Sequence, residues 1–268
     1  TAAGETLLAE ARAVFGTVER AAAAARAAGR GEASNARRTL AVGVYNEGLG
    51  ELNVSAADAF TERYPDVDLV FRQLRYTEIG RALADRLVDV VVGTEGACRQ
   101  PGGEFVPVFR DRMVISLPAH HHLAEAPAVT LADLSNETFL AAHHTPAEVR
   151  APYVLATSRP PRALRINRAV SPRSPLDFVR HVANGSGIAA TNVTCARFFP
   201  HRHVRYVPIV DAATVAVGVT VPARSTRVHQ AFRDAVIAAA AETGYAEAAP
   251  GTVAAQSTIA RKAGTPSS

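Results

Sequence analysis

The sequence predicts an α/β protein built as two lobes of helix-covered sheet with a cleft between them. Three observations carry this expectation. Residues 40–94 read strand, helix, strand, helix, strand with short connections. A second run of strands and helices follows from about residue 118. An apolar run at residues 215–221 and one last helix come after that second unit. Two strands crossing between lobes, near Leu117 and near Val219, account for this order. The expected division is therefore 40–117 plus 219–245 for the first lobe and 118–218 for the second.

Taken in order, residues 1–28 are rich in helix formers and contain no breaker. Leu7, Ala11, Val14, Val18, Ala21 and Ala25 alternate by four and three, a short heptad seam. Residues 1–30 are thus expected to be a linker helix that associates with a second copy of the chain. The glycine, serine and asparagine of residues 29–35 interrupt it, which makes residues 31–39 a linker.

Residues 40–44 are a short apolar strand, followed by a polar loop at 45–50. Leu52, Ala56, Ala59, Phe60 and Tyr64 then recur at helical spacing. Pro65 stops that helix, because proline disfavours the α conformation before it and lacks an amide proton. Val67, Leu69 and Phe71 alternate with Asp68, Val70 and Arg72, as in a strand. Thr77 reads as an N-cap, with Ile79, Leu83 and Leu87 as the stripe of a second helix. Residues 88–92 form the third strand. Two successive crossovers of this kind imply parallel strands. Such sheets bind ligands beyond the carboxyl ends of their strands.

Residues 105–109 and 113–117 read as strands separated by Arg110-Asp111-Arg112. A polar, histidine-rich stretch at 118–127 precedes a capped helical turn at 130–134. Residues 138–142 are a strand, 143–161 a proline-punctuated segment, and 164–170 a strand. Ser174 caps a helix that has Pro175 at its first position and carries Leu176, Phe178, Val179 and Val182. Strands follow at 188–190, 204–209 and 215–221. Ser225 or Thr226 caps a last helix with Val228, Phe232, Val236 and Ala239 on one face. Residues 246–268 have the composition of a disordered tail.

At 268 residues and 48% hydrophobic, the chain can bury a large core. No apolar run approaches the roughly 18 residues that span a membrane. Cys98 and Cys195 make no metal spacing and read as free thiols of a reducing cytosol. The net charge of +4 comes almost wholly from arginine; Lys262 is the one lysine. The arginines are scattered, which argues against a nucleic-acid surface here. A small anionic effector held by one or two arginines fits as well. The chain opens at Thr1 without a methionine, so an upstream segment is expected.

Catalytic and metal signatures are poorly represented. Gly185-Ser186-Gly187 is too short for a nucleophile elbow, and no phosphate loop or dinucleotide fingerprint occurs. His120, His121 and His122 are consecutive and cannot converge on one face of a regular element. His201 and His203 alternate, but no cysteine or carboxylate stands at ligand spacing beside them. No enzyme activity, cofactor or metal is expected.

Several fragments resemble the LysR-type transcriptional regulators. Gly4-Glu5 with Leu7-Leu8 and Ala11-Arg12 is similar to the start of that family's linker helix. Tyr64-Pro65-Asp66-Val67 and Leu87-Val88-Asp89-Val90 resemble its first lobe. Residues 113–120 with His122-Leu123-Ala124 resemble its lobe crossing, and Gly185-Ser186-Gly187-Ile188 a second-lobe turn and strand. The resemblance implies two Rossmann-like lobes of periplasmic-binding-protein type II architecture. It implies a cytoplasmic effector-sensing module that forms a homodimer or tetramer. DNA would be contacted only through a winged helix-turn-helix that precedes the linker helix in that family. The chain departs from the pattern at Asn53, at Thr191-Asn192-Val193 and through 143–161, which points to an unusual ligand.

Site candidates follow from the strand ends. Tyr45 and Asn46 close the first strand before a helix N-terminus, where free amide protons favour an anion. Arg75, Tyr76 and Thr77 close the second strand, and Thr94 the third. The resemblance places His143, His144, Thr145, Thr191 and Asn192 of the second lobe at or near the same cleft. The leading expectation is a small polar or anionic metabolite bound between the lobes. An extracytoplasmic solute-binding protein shares this fold but has no use for a heptad helix. An enzyme on the same scaffold would need converging acid-base groups.

Overall fold

The computed structural model describes residues 38–243 except 144, 146 and 156–164, together with the single residues 1, 4, 11, 18 and 22. Gly4, Ala11, Val18 and Ala22 are helical; otherwise the expected linker helix lies outside the described residues, as does the tail at 246–268.

The first sheet has five strands in the order β2-β1-β3-β10-β4. β1 (Arg38–Val44) pairs in parallel with β2 (Val67–Gln73) and with β3 (Val90–Thr94). β4 (Gly103–Asp111) and the returning β10 (Val215–Pro222) complete it in antiparallel fashion. On one face, α1 (Leu52–Arg63) packs against the last helix, Arg227–Glu242. Phe60 and Phe232 meet edge to face there, with ring centroids 5.7 Å apart. That geometry suits the ring quadrupoles and adds to the apolar area both rings bury.

The opposite face is covered differently from expectation. Residues 76–86 form a succession of turns rather than a helix. Gly80 has φ +86°, a left-handed conformation that cannot continue an α-helix. Of the expected stripe, Ile79 is buried and Leu83 and Leu87 are half-buried, so it is used in part without the helix. The Glu78 carboxylate, not Thr77, takes the capping position by accepting from the Arg75 amide at 2.9 Å.

The second sheet centres on β5 (Met113–Pro118), flanked by β8 (Ala189–Asn192) and β9 (Val204–Pro208), both antiparallel to it. The short parallel pair β6 (Thr138–Phe139) and β7 (Arg165–Ile166) is joined on through a bridge from Phe139 to Ile188. Of the expected strand at 164–170, only β7 is regular among the described residues. α2 (Glu95–Cys98) follows β3 of the first sheet, while α3 (Ala147–Arg150) lies between β6 and β7 in the chain and α4 (Pro175–Ala183) between β7 and β8. α4 begins as its sequence requires, with Ser174 Oγ accepting from the Asp177 amide at 3.2 Å. α5 (Val193–Phe198) follows β8, and α6 is the last helix, Arg227–Glu242.

The crossings lie elsewhere than expected. β5 belongs wholly to the second sheet and β10 wholly to the first. The chain therefore crosses at Arg112, not near Leu117, and returns through residues 209–214, not near Val219. The two passages run side by side. Asp111 and Val215 are register partners, and the Ile209 amide donates to the Met113 carbonyl at 3.1 Å.

Candidate functional site

A cavity of about 50 Å³ lies between the sheets. The loop after β1 contributes Tyr45 and Asn46, and the turn after β2 contributes Tyr76. Opposite them stand Thr145, Arg150 and Tyr153, then Phe178 of α4, Thr191 of β8, Cys195 of α5 and Tyr206 of β9. Leu140, Ala141, Ala142, Ala189 and Ala190 form the floor. Four of the chain's six tyrosines therefore surround one space. Tyr45 and Tyr76 are in tilted contact, with centroids 5.9 Å apart. Burial pushes all four phenols upward, so each remains a neutral hydroxyl that can donate or accept. The Tyr153 hydroxyl meets Thr94 Oγ1 at 3.3 Å across the lobes. The Tyr206 hydroxyl donates to the Phe199 carbonyl, and Ser116 Oγ to the Ala189 carbonyl.

Beside the cavity a second set of polar groups joins the lobes. Asn192 Nδ2 donates to Glu47 Oε1 at 2.7 Å and to Asp111 Oδ2 at 2.8 Å. The Thr194 amide donates to the same Asp111 oxygen at 2.9 Å. Glu47, Asp111, Asn192 and Thr194 are all buried. Burial pushes the Glu47 carboxyl from 4.5 up to about 7, against the opposing pull of the Asn192 amide. Its Oε2, together with Asn192 Oδ1 and Asn46 Oδ1, is buried without a hydrogen-bond partner. Burial and the neighbouring Glu47 push the Cys195 thiol up, so it stays protonated.

The expected site residues divide into groups. Tyr45, Asn46, Tyr76, Thr145 and Thr191 line the cavity. Thr94 and Asn192 stand behind the lining, one held to Tyr153 and the other to Glu47 and Asp111. Arg75, Thr77 and His143 are exposed and line nothing there. In the turn after β2, Tyr76 is buried while its two neighbours are exposed. His144 lies outside the described residues. Sequence reasoning missed Glu47, Asp111, Tyr153, Phe178, Cys195 and Tyr206. Tyr206 shares a strand face with buried Val204, opposite Val207, so a strand reading alone marks it only as a core-facing residue.

The histidine reading also changes. His121 and His122 do converge, with stacked rings 4.4 Å apart, and Glu137 reaches both from a distant turn. The ligand atoms of these three residues lie within 4.8 Å of one another. The Leu123 amide donates to His121 Nδ1 at 3.2 Å, which leaves the proton of a neutral ring on Nε2, facing Glu137 at 3.3 Å. The second ring, His122, stands 3.7 Å from Glu137, outside hydrogen-bond reach. No described helix is long and apolar enough to cross a membrane.

A family model described as the LysR substrate binding domain matches residues 33–241. No curated protein sequence matches the chain. Among solved structures, the BenM effector-binding domain with its effector benzoate superposes with a TM-score of 0.64 at 18% identity, covering 78% of this chain and 95% of that one. The effector-binding domain of QuiR in complex with shikimate gives 0.61 at 15%, covering 77% and 99%. Full-length CbnR complexed with its target DNA gives 0.62 at 18%, covering 90% and 82%. At these identities the likeness is one of fold.

Proposed function

The chain belongs to the LysR substrate-binding domain family, and from that membership we propose that it senses a small molecule for a DNA-binding transcriptional regulator. The effector-bound and DNA-bound relatives support this reading by analogy. The observation that carries it is the cavity itself, walled by side chains from both lobes.

Its size supplies the mechanism. A cavity of about 50 Å³ is well below the ~150 Å³ that accepts a benzene ring. A ring-sized occupant must therefore displace the walls, and the walls belong to different lobes. Binding and lobe geometry are coupled by volume. The ligand shifts the equilibrium by its differential affinity for the two arrangements. The change passes to a partner copy and on to the DNA-binding heads. The phenols and the Cys195 thiol are held neutral by burial, which suits binding of the ligand better than attack on it.

Calorimetry against a panel of small aromatic and alicyclic metabolites tests this. Ala190→Leu fills the cavity floor and removes binding; Arg75→Ala and Thr77→Ala, on the exterior, leave it within twofold. Binding that survives Ala190→Leu, with Phe178→Leu also silent, would place the ligand elsewhere.

A further inference from the structure

The chemistry of the cavity restricts what it takes, on the reading that the effector binds there. Three features of the walls bear on charge. First, the amide protons of residues 48–50, in the turn after β1, are engaged within that turn. Gly48 and Gly50 donate to the Tyr45 and Glu47 carbonyls at 2.8 and 3.0 Å. Leu49 donates to Asn53 Oδ1 at 3.3 Å, and Asn53 and Val54 donate back into the same turn. Second, the helix N-termini around the space already hold carboxylates of this chain. Asp177 lies in the first turn of α4 and accepts from the Arg173 amide at 3.2 Å. Asp111 accepts from the Thr194 amide at the start of α5. The favourable end of each helix dipole is thus occupied. Third, Glu47 stands behind Tyr45, Tyr76, Tyr153 and Cys195, and its charge adds to burial in holding all four protonated.

Against these stands Arg150, the one charged side chain among the described lining residues, which shares its Nη1 with the Thr145 carbonyl at 3.1 Å. A carboxylate entering this space would lose its hydration, meet the charge that Glu47 carries and have to share Arg150 with that carbonyl. What the walls offer is aromatic surface, neutral phenols and the buried, unpartnered Asn46 Oδ1, which needs a donor.

We propose that the cavity selects an uncharged aromatic molecule carrying a hydrogen-bond donor, such as a phenol or an aromatic carboxamide, over the corresponding carboxylate.

Matched probes test it by calorimetry on the full chain at neutral pH: benzamide against benzoate, 4-hydroxybenzamide against 4-hydroxybenzoate, with phenol and benzylamine as further arms. The amides and phenol bind, each amide tenfold or more tighter than its acid, and Glu47→Gln narrows that gap. Acids equal to or tighter than their amides overturn the inference and leave the cavity as the effector site. Benzylamine as the tightest probe overturns it too, in favour of a cation. Silence from every probe overturns the inference; if the wider metabolite panel is also silent, the reading of the cavity as an effector site falls with it.

Discussion

Asn192 holds Glu47 at 2.7 Å across a sequence separation of 145 residues, and the same nitrogen holds Asp111 at 2.8 Å. One amide thus bridges two buried carboxyl groups from the opposite lobe. Without its N–H groups those carboxyls face each other with no shared donor. Asn192→Leu should cost about 2–3 kcal/mol, because buried charged acceptors lose their partner. Urea unfolding measures this. An unchanged midpoint would mean the bridge contributes nothing to the closed arrangement.

Glu47 should also impose a pH dependence. Its carboxyl is raised from 4.5 to about 7 in the folded chain, so the folded state binds the proton more tightly than the unfolded one. Stability from this group is therefore greatest below pH 4.5, falls as pH rises from 4.5 to about 7, and is level above. The total is on the order of 3 kcal/mol. Glu47→Gln should raise the melting temperature near pH ~8 and flatten the profile across the window. A Gln variant with the parent's slope would assign the dependence to other groups.

Gly50 faces Thr194 across the lobes. It has φ +65°, and a Cβ there would stand 2.5 Å from Thr194 Cγ2. Gly50→Ala should destabilise by about 2 kcal/mol, part from the left-handed backbone and part from that clash. Adding Thr194→Ser removes the methyl and should recover only the second part. Full recovery in the double variant would show that the backbone conformation is unstrained.

β2 is the edge of the first sheet and exposes Val70 and Phe71. An apolar edge strand of this kind invites pairing with another chain. Sedimentation of the full chain should show association that Phe71→Lys weakens severalfold. Equal association in both would assign it to other surfaces.

Much of this architecture is legible locally. Ser174-Pro175 announces α4, Thr226 announces α6, and the alternation through Val67, Leu69 and Phe71 announces β2, because each depends on near neighbours. The turns at 76–86 are hidden because Gly80 overrides a stripe that is still partly buried. The crossing was hidden because residues 105–109 and 113–117 are similar apolar runs whose sheets are set only by distant partners. Tyr45, Asn46 and Tyr76 could be read from strand ends. Glu47, Asp111 and Tyr153 could not, since their roles arise from contacts with residues 59 to 145 positions away.

The side-by-side passages at Arg112 and residues 209–214 join the lobes at one place. Under the proposed reading, an occupant that wedges the walls apart turns the lobes about that place, so the bulk of the guest sets the swing while the chemistry of the walls decides which guest is admitted.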